Sequence, residues 1–136
     1  MTMDKHSLRS KVFDEILIFL KEYCSLYFNI ECCALVGKDK NYFVVEFMKN
    51  RSPQPNDFFC VDPMDFLRFK NSNNLLCLFH SHPSTDEQFS ELDIANADAL
   101  CIPSMIYSLK TDNFAFYEPK ECEVDVKILK KIKKKL

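Results

Sequence analysis

Two of the three histidines in this 136-residue chain lie two residues apart, in the stretch LLCLFHSHPSTDEQFSELD (residues 75–93). The apolar run that leads to His80 and His82 predicts a strand end, and their spacing places both imidazoles on one face of that strand. Their Cα atoms would be about 6.5 to 7 Å apart, so both rings could bind one metal ion. Asp93, which the intervening loop can return toward the strand end, is the expected third ligand. Two histidines, one aspartate and a water molecule would form an open tetrahedral zinc site of the catalytic kind.

Two further residues are expected to complete a hydrolytic site. Zinc lowers the pKa of its water, but a general base must still accept the proton. Glu31 begins the apolar run ECCALVG, an unusual place for a charge, and it reaches the site if this run lies beside the histidine strand. Ser90 could donate a hydrogen bond to the oxyanion of a tetrahedral intermediate, and S-E-L-D is equally a helix-capping pattern; the two roles are compatible. Ser81, Thr85 and Asp86 are expected to shape the loop rather than to do chemistry.

The first half of the chain predicts elements that would position Glu31. Residues 6–28 carry an apolar residue every four positions, which indicates a helix. The runs IECCALVG and YFVVEFMK predict two strands joined by a hairpin turn that begins at Gly37. NRSPQPND is expected to be a loop and FFCV (58–61) a short strand. DPMDFLRFK predicts a helix capped by Asp62, with Pro63 at its first position.

The second half predicts the elements around the two histidines. NSNN is expected to be a loop, and LLCLFH a central strand buried on both faces because it is continuously apolar. SELDIANADAL predicts a helix that ends before Pro103. SMIYSLK and FAFYEP predict a second hairpin, and residues 122–135 a terminal helix. The expected fold class is α/β: a three-layer-like sandwich with a mixed central β-sheet flanked by helices, in one domain over residues 1–136.

Composition narrows the classes of protein that fit. The length and the 47% hydrophobic content suit a domain with a real core, and the net charge of −2 gives no general attraction to nucleic acid or membranes. We expect no nucleic-acid partner and no membrane span, because the apolar runs are too short. The N-terminal segment carries acids among its apolar residues, which argues against a signal peptide. Seven cysteines without a C-x-x-C motif predict buried thiols in a reducing compartment, hence the cytoplasm.

The C-terminal segment KILKKIKKKL carries six lysines in ten residues. Ile128, Leu129, Ile132 and Leu136 would lie on one helical face, with the lysines opposite. One interpretation is a solvated helix face. The other is contact with an acidic partner, nucleic acid or a membrane surface.

The candidate residues form a longer motif: Glu31, then H-S-H-P from residue 80, seven residues (83–89), and S-E-L-D from residue 90. This motif resembles that of the JAMM (MPN+, JAB-type) zinc metalloproteases at every defined position. The resemblance implies a cytidine-deaminase-like JAB/MPN fold and one Zn²⁺ per chain, bound by His80, His82 and Asp93. It also implies that Glu31 is the acid/base and that Ser90 assists the oxyanion.

The resemblance implies a zinc-dependent peptidase or isopeptidase with a protein or peptide substrate. The expected bond lies at the C-terminal tail of a ubiquitin-like or sulfur-carrier protein. The order of motifs looks like that of bacterial and phage members, some of which are tail-assembly peptidases, and this is an alternative. A non-catalytic scaffold of the same fold is another, although inactive relatives typically lose metal ligands. A zinc deaminase is set aside, because its H-x-E and P-C-x-x-C signatures are missing.

Overall fold

The computed structural model describes residues 6–50, 62–122 and 124–136 of the protein. Six strands form one sheet, and four helices are seen in these residues. The strands are β1 (Ser7–Ser10), β2 (Cys33–Asp39), β3 (Tyr42–Met48), β4 (Asn74–His82), β5 (Ser104–Ser108) and β6 (Asn113–Tyr117). The helices are α1 (Phe13–Leu26), α2 (Pro63–Ser72), α3 (Glu91–Leu100) and α4 (Val126–Lys135).

The sheet is mixed, as the sequence predicts. Its strand order is β1-β3-β2-β4-β5-β6. Strands β4 and β5 are parallel, and α3 lies between them in the chain; the other four pairings are antiparallel. Strand β4 therefore has a neighbour on each side. Its adjacent residues Phe79 and His80 point to opposite faces and are both 0% exposed, which confirms a central strand buried on both faces.

Helices cover both faces of this sheet. Helices α1 and α4 share one hydrophobic cluster with the strands, in which Ile16 and Ile132 are fully buried. Helix α2 contributes Phe69 to a second cluster with Cys33 and Leu35 of β2. Alternate residues of a strand point to opposite faces, and Ala34 and Val36 belong to the first cluster, so the two clusters lie on opposite sides of the sheet. The predicted α/β sandwich is confirmed.

The single helix predicted over residues 6–28 is wrong in its first part. Residues Ser7–Ser10 form the edge strand β1, which pairs antiparallel with β3. The side chain of Ser10 links this strand to the start of α1: its hydroxyl accepts a hydrogen bond from Val12 N (3.0 Å) and donates one to Glu15 (2.9 Å). The free edge of β3 satisfies the backbone groups of β1, and a local apolar pattern carries no information about that long-range pairing.

Gly37 has a different role from the predicted hairpin turn. The turn is at Lys40 and Asn41, and Gly37 lies inside β2, where the pairing with β4 shifts register. A Cβ atom at Gly37 would be 2.8 Å from Phe69 Cε1. The glycine is required because the ring of α2 packs directly on the backbone of β2.

The remaining predictions for the described residues differ mainly in their boundaries. Asp62 caps α2 by accepting a hydrogen bond from Met64 N (2.8 Å), as predicted. The predicted loop NSNN is reduced to Asn73, because α2 continues to Ser72 and β4 begins at once. The second hairpin is confirmed as β5 and β6, and the terminal helix begins at Val126. The predicted strand at 58–61 and all but the first residue of the predicted loop NRSPQPND (50–57) lie outside the described residues.

Candidate metal centre

The two histidines lie at the carboxyl end of β4, on the same face of the sheet. His80 is 0% and His82 8% exposed, and their ring centroids are 5.1 Å apart. His80 pairs with Cys33 of β2 on one side and with Ile106 of β5 on the other. The i, i+2 spacing therefore has the predicted result, two neighbouring imidazoles held by a strand that is paired on both sides.

A backbone contact fixes the proton position on His82. Its Nδ1 lies 2.7 Å from the carbonyl oxygen of Asp86. A carbonyl can only accept, so Nδ1 carries a proton and donates it. In the neutral ring, Nε2 then presents its lone pair, which is the state that a metal ion requires.

Asp93 is brought against both histidines by the first turn of α3. Its carboxylate oxygens lie 3.4 Å from His80 Nε2 and 3.6 Å from His82 Nε2. The helix begins with a capping box: Ser90 Oγ accepts from Asp93 N (3.0 Å), and Asp93 Oδ2 accepts from Ser90 N (3.0 Å). The carboxylate of Asp93 thus completes the predicted helix cap and also faces the two imidazoles.

Glu31 reaches the same place from two residues before β2, which pairs with β4 as expected. Its side chain is buried, and Oε1 lies 3.9 Å from His82 Nε2. Ser81 accepts a hydrogen bond at Oγ from Cys32 N (2.8 Å), and its own amide donates to Cys32 O (2.9 Å). Asn50 donates to Glu31 O (2.9 Å). Glu31 is therefore held through its backbone although it precedes the regular strand.

The charges in this cluster determine the pKa values of its members. Burial lowers the pKa of His80, and the neighbouring Asp93 offsets only part of that shift. Burial acts in the same direction on His82, but contacts with Asp93 and the Asp86 carbonyl, together with the charge of Glu31, raise its pKa overall. Burial acts to raise the pKa of Asp93, but the two histidines and the amide of Ser90 hold it well below its usual range. Of the two imidazoles, His82 is therefore the one that is more readily protonated beside Asp93.

The donor set suits a divalent metal ion. Ligand atoms of Glu31, His80 and His82 all lie within 4.8 Å of one another, and Asp93 contacts both imidazoles. Two ligands on a tetrahedral zinc, each about 2.0 to 2.1 Å from the ion, are about 3.3 Å apart. Two carboxylates that converge on two imidazole nitrogens require a cation between them, and this can be the proton on His82 or a metal ion.

Comparison with known proteins agrees with this geometry. Residues 11–120 match the Prok-JAB family, described as prokaryotic homologs of the JAB domain. The chain belongs to this family. It is also 26% identical over 113 residues to the tail tip assembly protein K of Escherichia phage N15, an alignment that covers 83% of this chain and 45% of the phage protein. The chain thus spans about half the length of this curated relative. The expected resemblance to JAB-type proteins of bacterial or phage type is confirmed.

The loop of this JAB domain between the histidines and α3 is tied to the end of β5. Ser108 donates from Oγ to Thr85 O (2.6 Å), and Leu109 N donates to His82 O (3.1 Å). Thr111 donates from its hydroxyl to Glu87 (2.8 Å). These contacts fix residues 83–89, which include the Asp86 carbonyl that orients His82. The carbonyls of Thr85 and Asp86 make these contacts, and the Asp86 side chain accepts a hydrogen bond from Gln88 N (3.0 Å), so Asp86 shapes the loop as expected.

The sequence predicted that four polar side chains lie together, but not which residues hold them in place. The four are Glu31, His80, His82 and Asp93. Ser81 was expected to shape the loop, and it instead ties β4 to the segment that carries Glu31. Asn50 and Ser108 were not identified, because an isolated serine or asparagine gives no sequence signal of its partner. Ser90 is exposed, with its hydroxyl against Asp93 N.

Among the described residues, none of the helices has the length and apolar content that a membrane span requires.

Proposed function

We propose that this JAB domain is a zinc-dependent peptidase or isopeptidase. One observation carries the proposal: Nε2 of both histidines and the carboxylates of Asp93 and Glu31 converge at the end of β4. Two carboxylates that are buried side by side are stabilised by a metal ion between them and the imidazoles. A solvated, purely structural cluster would not need two buried imidazoles with one ring already fixed in the metal-binding tautomer.

In this proposal His80, His82 and Asp93 are the metal ligands and Glu31 is the acid/base. The distances from Asp93 to the two imidazoles, 3.4 and 3.6 Å, are close to the spacing of ligands on a tetrahedral zinc ion. Glu31 lies farther away, at 3.9 Å from His82 Nε2. That extra distance suits a group that contacts a ligand of the metal rather than the metal itself.

In this proposal each residue of the site has a role in hydrolysis. A bound zinc ion supplies a Lewis acid and makes water a stronger nucleophile at neutral pH. Glu31 accepts the proton of the attacking water at a carboxylate oxygen and passes it to the leaving amine. Ser90, exposed at the rim, can donate its hydroxyl proton to the oxyanion while its Oγ caps α3. The Asp86 carbonyl keeps the proton of His82 on Nδ1.

The proposed substrate is an extended protein tail, such as the C-terminus of a ubiquitin-like or sulfur-carrier protein in the cytoplasm. A second candidate is a peptidase of phage tail assembly, which the similarity to tail tip assembly protein K favours. A non-catalytic scaffold is disfavoured, because every residue of the metal-binding and acid/base set is present and assembled.

The test compares Glu31→Gln with Asp93→Asn. Glu31→Gln should retain close to one zinc per chain and lose turnover, whereas Asp93→Asn should lose zinc as well. Model substrates would carry a ubiquitin-like domain or a phage tail tip sequence before the scissile bond. Full turnover by the Glu31→Gln variant would remove the assigned base, and wild-type protein purified without zinc and unable to take it up would favour the scaffold. A tail captured by the inactive zinc-bound variant, identified by mass spectrometry, distinguishes the two substrates.

A further inference from the structure

Helix α4 presents a row of lysines to solvent. Lys127, Lys130, Lys131 and Lys134 are all exposed, and their spacing of i, i+3, i+4 and i+7 places them on one face of the helix. We call this set the lysine face. It extends over about 10 Å along the helix axis.

The other sides of α4 are fixed to the body of the protein. Leu129 and Ile132 are 2% and 0% exposed, and Ile132 belongs to the main hydrophobic core. The flanking lysines are paired: Lys133 with Glu118, and Lys135 with Asp14 at 3.3 Å. The orientation of the helix, and hence of the lysine face, is therefore determined by packing.

Within the described residues, the lysine face has no such compensation. No carboxylate in residues 6–50, 62–122 and 124–136 forms an ion pair with any of its four members. Like charges three and four residues apart destabilise a helix. The whole chain has a net charge of −2, and residues 126–136 contribute six lysines and no acid, so the rest carries −8. Positive charge is thus concentrated on one helix of an otherwise acidic protein.

We propose that the lysine face binds an acidic segment of a partner protein, independently of the metal centre. A compact set of carboxylates spaced over about 10 Å would match the four ammonium groups. Lysine presents a flexible point charge and therefore suits carboxylates that need no fixed geometry.

Other polyanions fit less well. Helix α4 has no arginine for bidentate phosphate contacts and no aromatic residue on which bases could stack. Its Leu129 and Ile132 are buried and Ile128 packs on the core, so the exposed Val126 leaves too little apolar surface to insert into a bilayer. A nucleic acid or an anionic membrane would also extend past the lysine face to the acidic remainder of the surface, which repels it.

The test uses the full chain and two variants with the same change in net charge. One variant replaces the lysine face by glutamine: K127Q, K130Q, K131Q and K134Q. The matched control replaces four exposed lysines scattered over the rest of the protein: K40Q, K49Q, K110Q and K120Q. Circular dichroism and thermal unfolding establish that both fold.

Binding is measured at low ionic strength by fluorescence anisotropy, with a labelled decaglutamate peptide, a short DNA duplex and phosphatidylserine vesicles as separate probes. The wild type should bind the peptide, and the lysine-face variant should bind it at least about tenfold more weakly, while the control changes less than about twofold. No peptide binding, or equal losses in both variants, would overturn the proposal. Tighter binding to DNA or vesicles than to the peptide, lost in the lysine-face variant, would also overturn it.

Discussion

Substitution of Ser81 by alanine should destabilise the fold and displace Glu31, the proposed acid/base. Ser81 lies between the two histidines, is 0% exposed, and accepts a hydrogen bond from Cys32 N at 2.8 Å. Without the hydroxyl, this buried amide has lost its acceptor, which costs about 1 to 3 kcal/mol. For a domain of 136 residues the melting temperature should fall by about 3 to 10 °C.

The same substitution should affect catalysis more than metal binding. Cys32 is adjacent to Glu31, so a looser Cys32 backbone displaces the proposed base, and a displacement of about 1 Å can cost about a hundredfold in rate. The zinc content should stay near one per chain, because Ser81 touches neither imidazole through its hydroxyl. Differential scanning fluorimetry, zinc analysis and turnover of a model substrate measure the three effects.

Ser84→Ala is the matched control, because Ser84 is an exposed serine three residues further along the chain. It should change the free energy of unfolding by less than about 0.5 kcal/mol. If Ser81→Ala and Ser84→Ala have the same melting temperature, the hydrogen bond to Cys32 does not support this segment. The unfolding result stands whether or not the proposed peptidase activity is found.

Four further predictions concern Gly37, zinc binding and the charge on His82. Gly37→Ala places a Cβ 2.8 Å from Phe69 Cε1 and 2.9 Å from Asn74 O, so it should destabilise the fold by about 1 to 3 kcal/mol and lower the urea midpoint with an unchanged m-value. Zinc at about a hundred times its dissociation constant should stabilise the wild type by about 2.7 kcal/mol, and an equal increase in a His82→Ala variant would contradict the assigned ligand. Because the pKa of His82 is raised, its protonated form persists to higher pH and competes with zinc. As the pH falls below that pKa, calorimetry should show the zinc affinity decreasing about tenfold per pH unit, with a proton displaced on binding. In the metal-free protein, stability depends on pH in the opposite sense. The contribution of His82 to stability is complete below its pKa in the unfolded chain and is lost as the pH rises through its pKa in the folded protein. Unfolding measured at several pH values tests this.

The residues that could be predicted are those whose chemistry and spacing are local. His80 and His82 on one strand face follow from a period of two, and Asp93 follows from a helix start after a short loop. Glu31 could be chosen because a charge at the start of an apolar strand is unusual, and the pairing of β2 with β4 brings it to the site.

The features that could not be predicted depend on pairing between distant segments. The strand β1 and the first turns of a helix share the same apolar spacing, and only the free edge of β3 decides between them. Gly37 suggests a turn by itself, whereas its actual cause is a ring from α2 that the sequence does not place there. Ser81 and Ser108 act through backbone groups of other segments, and a hydroxyl can bond to almost any neighbour.

As a proposed metal ligand, Asp93 would couple the stability of α3 to metal binding. Ala97 is the buried residue of α3, so the helix has little hydrophobic contact with the sheet. Its first turn is held by the capping box and by contacts with the histidines. Whatever free energy a metal ion contributes to the order of that turn must appear equally in the metal's affinity, because linkage is reciprocal. Occupancy of the proposed site and order of the helix would then be one equilibrium, and Leu92, 53% exposed on that first turn, would report it at the protein surface.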